Sequence, residues 1–307
     1  MKIAFFTEGQ YKGKVPRTHN NMRTDLAWMC ALDADHHNIH SPSTSDTYDL
    51  GIIIIPKNNP EFNIDNIKAC CKKLASMQEG PHWYFQEYPI GQQIWYYTTL
   101  LQMDYILVHN KLDANYYSGI TGKDCIILPS LMIEDTIKDI PKNAGTGVMI
   151  GGNFCNWYGG FDSYIVAQEF EQDIFVPSMG RKIQGEEQMD NLNHLPYMNW
   201  TNWIAELSKR KYAVHLMRTH AAGTFALNCA YLGIPCIGYE GLDTQMNCHP
   251  DCTVKIGDIY NARKIANRLK TDAKFYEYCS KLSMKKYKEV YSEDKFNSTW
   301  TKQLKIS

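Results

Sequence analysis

Residues 212–238 read Tyr212-Ala-Val-His215-Leu-Met-Arg218-Thr219-His220-Ala-Ala222-Gly223-Thr224-Phe-Ala226-Leu-Asn228-Cys-Ala230-Tyr-Leu-Gly233-Ile-Pro235-Cys-Ile-Gly238. The apolar run 212–217 predicts a strand. Arg218, Thr219 and His220 make a polar loop, and 222–232 has helical spacing. Ala222, Ala226 and Ala230 recur every fourth residue and leave one helix face thin enough to pack closely. Gly233 and Pro235 end the helix, and 234–238 predicts the next strand. Strand, loop, helix and strand in this order imply a parallel sheet with crossover helices.

The pattern extends both ways. Asp49-Leu-Gly-Ile-Ile-Ile-Ile-Pro56 is a continuous apolar run, expected of a strand buried on both faces. Further strands are expected at 2–7, 82–86, 105–109, 124–128, 147–150, 173–177 and 253–256. Helices are expected at 22–32, 63–77, 92–103, 200–210, 260–269, 274–291 and 294–304. The fold class is α/β: two Rossmann-like domains facing across a cleft, with C-terminal helices packing back. The expected division is a first domain at 1–130, a linker at 131–146, a second domain at 147–290 and a returning helix at 291–307.

The composition suits this reading. The 307 residues are 44% hydrophobic and 21% charged, enough for two ordinary cores. No apolar run approaches the roughly 20 residues of a membrane span. The first residues do not read as an export signal, so the ten cysteines are expected as reduced thiols in a cytoplasmic monomer. Lys+Arg 32 against Asp+Glu 33 gives net charge −1, so a polyanion would have to be met by a local patch.

Ligands of such sheets bind beyond the carboxyl ends of the strands, so the loops there hold the candidates. His215, Arg218, Thr219 and His220 precede a helix that starts at Gly223-Thr224. Its unpaired N–H groups and positive dipole end favour a phosphate, onto which Arg218 can fork. An ordinary packing unit is the plain alternative. Gly151, Gly152 and Asn153 follow another strand, where glycines allow a close ligand approach or simply a tight turn. Glu87, in Trp83-Tyr-Phe-Gln-Glu87-Tyr-Pro89, can be aimed as a general base or stand as a solvated acid. The loop 8–23 offers Tyr11, Arg17, His19 and Arg23 for an acceptor, His19 being the second base candidate; a solvated loop is again the alternative. Asp33-Ala-Asp35, the histidines 36, 37 and 40, and Cys248-His249-Pro-Asp-Cys252 are read as metal-free, the histidines lying in a solvated turn.

The segment 212–238 resembles the donor domain of GT-B glycosyltransferases, whose helix of small residues is followed by Leu-Gly-[Ile/Val]-Pro. Asn228 stands where many members place a glutamate on the donor ribose. Three short stretches are similar to phage DNA β-glucosyltransferases: Met1-Lys-Ile-Ala, Gly151-Gly152-Asn153-Phe154, and the Glu87 loop. The resemblance implies a nucleotide-sugar donor, most simply a UDP-sugar, on the second domain. A hydroxyl acceptor would lie on the first, with Glu87 as base and inversion at the sugar. The implied acceptor is a hydroxymethylated pyrimidine flipped out of double-stranded DNA. A divalent cation is compatible with this architecture and not demanded by it. A polysaccharide or lipid acceptor, an epimerase using His215, His220 and Glu240, and a non-catalytic two-domain binder are the other readings.

Overall fold

The computed structural model describes residues 1–9, 13–42, 44–56, 61–78, 80–142, 145–152, 154, 157–177, 185–186 and 189–304, with the backbone alone at 83–85. Two compact units form: Met1–Ile133 with His220–Ala222 and Glu293–Ser307, and Glu134–Thr219 with Gly223–Ser292.

The first unit is a sheet of β1 (Ile3–Thr7), β2 (Gly13–Lys14), β3 (Asp35–Asn38), β4 (Tyr48–Ile53), β5 (Cys71–Met77), β6 (Tyr105–Val108) and β7 (Cys125–Ile127), in the order β2-β3-β1-β4-β5-β6-β7. All neighbours are parallel except β2 with β3. The register Ile3↔Leu50, Leu50↔Lys73 and Ser76↔Ile106 places the apolar run of β4 at the centre, covered on both faces. Ala4, Phe6, Ile53, Leu74, Ile106 and Val108 form the core of one face. The helices are α1 (Thr24–Ala31), α2 (Ile64–Lys68), α3 (Ile90–Leu101) and α4 (Lys111–Thr121).

The second sheet is entirely parallel: β8 (Val148–Ile150), β9 (Ile174–Pro177), β10 (Leu192–Leu195), β11 (Tyr212–His215), β12 (Cys236–Tyr239) and β13 (Thr253–Val254), in the order β10-β9-β8-β11-β12-β13. Its helices are α5 (Gly160–Ala167), α6 (Trp200–Leu207), α7 (Thr224–Leu232), α8 (Asp243–Cys248), α9 (Ile259–Thr271) and α10 (Ala273–Val290). Phe170 stacks on Tyr212 at 4.1 Å, and Tyr276 meets Tyr212 edge-on. Helix α7 is buried from Phe225 to Leu232, so the alanine face is one part of a helix enclosed on all sides. The last helix, α11 (Glu293–Gln303), belongs to the first unit, where Phe296 packs at 5.2 Å from Trp28 of α1. Both units are Rossmann-like, so the chain is of the α/β class with two parallel-sheet domains. No helix of the described residues is long and apolar enough to cross a membrane.

Several elements differ from the sequence expectation. The helix expected at 63–77 is the single turn of α2, capped by Asn63, followed by strand β5. Ile64, Ile67, Cys71 and Leu74 match a helical period by coincidence. The edges of β4 and β6 need a strand between them, and the unbroken buried run Leu74–Met77 supplies it. The strand expected at 82–86 is a 3-10 helix, His82–Glu87, bounded by Pro81 and Pro89. The histidine turn is strand β3, with His36 buried and bonded to Thr7 Oγ1 at 2.9 Å. Five further elements were not anticipated: β2, α4, α5, β10 and α8.

Cys248, His249 and Cys252 are all buried. His249 staples two elements: Nε2 donates to the Ala226 carbonyl at 3.0 Å, and Nδ1 accepts the Cys236 N–H at 3.4 Å. Burial lowers His249 to about 4 and, in the first unit, His109 to about 4.

Two predictions follow from this packing. Phe296→Ala should destabilise the first unit by about 3–5 kcal/mol in urea unfolding; a shift well under that range would show that α11 adds little to this core. The second concerns pH. Unfolded imidazoles protonate near pH 6.5, whereas the folded His109 and His249 stay neutral down to about 4. Their contribution is therefore complete above about pH 6.5 and is lost as pH falls towards about 4. Melting temperature should drop between about pH 7.5 and 5, less so in His249→Gln.

Candidate functional site

The strand order of the second sheet reverses between β8 and β11: β9 and β10 extend to one side, β12 and β13 to the other. The loops leaving β8 and β11 therefore part company, and the crevice at such a point is where open α/β sheets bind ligands. Each loop ends at a glycine in left-handed conformation that caps a helix without a side-chain bond: Gly159 (φ 62°) before α5 and Gly223 (φ 66°) before α7. Neither position tolerates a Cβ. One at Gly159 would lie 2.0 Å from the Leu216 carbonyl oxygen, and one at Gly223 would lie 2.0 Å from Thr244 Oγ1. The first amides of each helix have no intrahelical partner by construction, and the dipole ends are positive.

The elements are clamped together by polar contacts. Leu216 N–H donates to Ser163 Oγ at 2.9 Å, tying α5 to the end of β11. Thr244 Oγ1 donates to the Gly223 carbonyl at 3.0 Å. Gly151 N–H donates to the Val214 carbonyl at 2.9 Å, and a Cβ on Gly151 would meet the Phe225 ring at 2.5 Å and His215 Cγ at 2.7 Å. Gly151, His215 and the first turn of α7 thus touch, and Gly152 lies against Tyr158.

His215 ends β11, stacked with Tyr158 and edge-on to Phe225. Burial lowers its pKa to about 3, so it is a neutral imidazole. Its Nε2 is buried and has no hydrogen-bond partner among the described residues. Arg218 is exposed and bonded to Asp162 Oδ2 at 2.9 Å; the Tyr239 hydroxyl reaches the same oxygen at 3.4 Å. Asp162, in the first turn of α5, was not singled out in the sequence, although an acid in that turn is the usual complement to a helix dipole. Thr219 and Thr224 are half-buried and Asn228 is buried in α7. His220 begins the short segment assigned to the first unit, where Ala221 accepts from Asn110 Nδ2 at 3.2 Å. Asn153 lies outside the described residues.

In the first unit Glu87 ends its 3-10 helix and is exposed, with no hydrogen bond or ion pair to a described residue. Arg17 is engaged by both oxygens of Glu293, at 2.9 and 2.7 Å. Arg23 Nε donates to Asn21 Oδ1 at 3.2 Å. His19 Nδ1 accepts the Asn21 N–H at 3.1 Å, which puts the ring proton of its neutral form on Nε2. In this geometry His19 offers a donor and not the lone pair a base needs. Tyr11 lies outside the described residues. Among the described residues no group of three or more His, Cys, Asp or Glu is arranged to hold a metal.

The sequence matches no family model and no curated protein. Solved structures share the fold. Sucrose-phosphate synthase from Thermosynechococcus elongatus is 9% identical over 98% of both chains, with a TM-score of 0.69. Anabaena HepE, in complex with UDP-glucose, is 10% identical over 99% of both chains, with a TM-score of 0.67. TarM of S. aureus is 8% identical over 83% of this chain and 55% of its own, with a TM-score of 0.60.

A clash and a backbone constraint can be separated here. Gly122 has a similar φ of 68° but open space where its Cβ would go. Gly122→Ala should cost about 1 kcal/mol, and Gly159→Ala clearly more than the 1–3 kcal/mol or so of left-handed strain alone. Chemical denaturation of both variants checks this; equal costs would mean that the approach of Gly159 to Leu216 is unimportant.

Proposed function

We propose that this chain is a glycosyltransferase that moves a sugar from a UDP-sugar to a hydroxyl acceptor. The observation that carries the reading is the crevice between β8 and β11, where two uncapped helix starts, a neutral half-buried histidine and an exposed arginine converge. Support comes from the near-complete overlap in fold with HepE, whose structure holds UDP-glucose.

In this reading the diphosphate lies at the amides of Thr224, Phe225 and Ala226. Arg218 exchanges Asp162 for phosphate oxygens, and a bidentate fork is worth more there than at an exposed carboxylate. Gly151 and Gly152 let the backbone come close to the donor. His215, kept neutral, can hydrogen-bond a sugar hydroxyl or a phosphate oxygen without adding charge. Thr219, His220 and Asn228 supply further polar contacts to the donor, and Asn153 is assigned with them on the sequence alone. The acceptor is assigned to the first unit, where Glu87 and the loop bearing Arg17, His19 and Arg23 contact it, with Tyr11 added from the sequence.

The finer reading, a hydroxymethylated pyrimidine in DNA, is supported by the three short stretches similar to phage DNA β-glucosyltransferases. The charge pattern supports it less: the Arg17 guanidinium is already neutralised by Glu293, and the chain has no net positive charge. Transfer assays with UDP-glucose and UDP-N-acetylglucosamine, with and without magnesium, should compare 5-hydroxymethylcytosine DNA, unmodified DNA, oligosaccharides and glycerol. Product on the modified DNA alone would establish the finer reading, and product on the sugars alone would replace it.

Arg218→Ala should weaken UDP binding by roughly 10–100-fold in calorimetric titration. Wild-type protein that binds no UDP, or a variant that binds it as well, would remove the basis of this site.

A further inference from the structure

We infer that Asp162 sets how the donor site ranks its two nucleotides: its carboxylate competes with the diphosphate for Arg218 and repels free UDP more than the UDP-sugar. The inference rests on the glycosyltransferase reading and adds to it a residue that works against tight binding of the product. Asp162, Arg218 and Tyr239 all belong to the second unit.

Two helix starts flank the crevice, and only one is left open to an anion. Asp162 lies in the first turn of α5, where its charge answers that helix's own dipole. The first turn of α7 carries no acid. With the diphosphate assigned to α7, Asp162 stands as a fixed negative charge on the loop that joins β11 to α7.

That position is held from several sides. The Leu216 N–H donates to Ser163 Oγ at 2.9 Å, and Gly159 presses on the Leu216 carbonyl, so the start of α5 is tied to the end of β11. Arg218 Nη2 donates to Asp162 Oδ2 at 2.9 Å, and the Tyr239 hydroxyl, at the end of β12, donates to the same oxygen at 3.4 Å. Burial and the neighbouring carboxylate raise the pKa of Tyr239, which keeps its proton and stays a donor. The Asp162 side chain is 23% exposed, against 57% for Arg218. The carboxylate is thus the anchored partner, and the arginine, on its long stem at the surface, is the one free to turn.

When Arg218 turns to a phosphate, it leaves an uncompensated carboxylate in the crevice. His215 is neutral and does not cancel it. Breaking an exposed pair lowers affinity only a few-fold, and it does so equally for every diphosphate. The repulsion is unequal. The diphosphate of a UDP-sugar is esterified at both ends and carries two negative charges. Free UDP ends in a phosphate whose last proton leaves at about pH 6, which gives a third charge at neutral pH. That charge appears when the bond to the sugar breaks. Asp162 therefore penalises the product more than the substrate.

The test is calorimetric titration of the whole chain with UDP and with UDP-glucose at low salt. Asp162→Asn keeps the shape of the side chain and removes its charge. It should tighten UDP-glucose by about two- to fivefold and UDP by roughly the same factor again. Asp162→Glu keeps the charge and should keep the wild-type ratio of the two affinities. Both gains should shrink at high salt, where the charges of the crevice are screened. Damage to the fold cannot tighten binding, and Asp162→Ser gives the same reading should the asparagine variant not fold. Unchanged or weaker UDP binding in the uncharged variants, or equal tightening of the two ligands, overturns the role of Asp162 and leaves the donor site standing. Wild-type protein that binds neither ligand overturns the glycosyltransferase reading beneath it.

Discussion

The parallel pairing of β8 with β11 is the constraint on which the second unit's candidate site depends. These strands are far apart in sequence, yet Val148 aligns with Tyr212 and Ile150 with Val214. Because the sheet is wound in opposite directions from this pair, the chain leaves both strands at the same edge and turns away on both sides. Two helix starts are then brought to one place, each with amides that no residue of its own helix can satisfy. The glycines serve this convergence: Gly159 presses on the backbone of Leu216, Gly223 on Thr244, and Gly151 on Phe225 and His215. A side chain at any of them would push apart the elements that form the crevice.

Charge in that crevice is held in reserve. Arg218 is paired with Asp162, but it is more than half exposed, and an exposed pair is worth little in water. It can be given up to a better-matched anion at small cost. His215 contributes no charge at all, since burial keeps it neutral. In the first unit Asp113 is buried and His82 half-buried, and the carboxylate of Asp113 sets which nitrogen of His82 bears the proton.

The sequence was legible where one physical signal dominated. The run of β4 could only be a doubly covered strand. Gly233 and Pro235 could only end α7, whose C-cap is indeed left-handed at φ 73°. It misled where two periods overlapped, as at 63–77, where a helical spacing of apolar residues hid a strand required by its neighbours. Helix α4 had a readable start, Asn110 with Asp113 three residues on, and a readable stop at the left-handed Gly122. The loop bearing His215 and Arg218 and the helix start at Gly223 were readable in the sequence, because strand-loop-helix order places them; α5 and its Gly159 start were not. Asp162 and the pair His82–Asp113 were not, because each depends on a partner contributed by another segment.

By itself, then, the sequence determined the alternation of strands and helices, the parallel sheets they imply, and the loops in which chemistry could sit. These follow from local periodicity and from backbone limits at glycine and proline, which act over a few residues. Tertiary structure alone decided which strands became neighbours, which histidine nitrogen holds a proton, and which acid meets Arg218. Those outcomes depend on burial and on contacts between residues distant in the chain, and no local pattern encodes them.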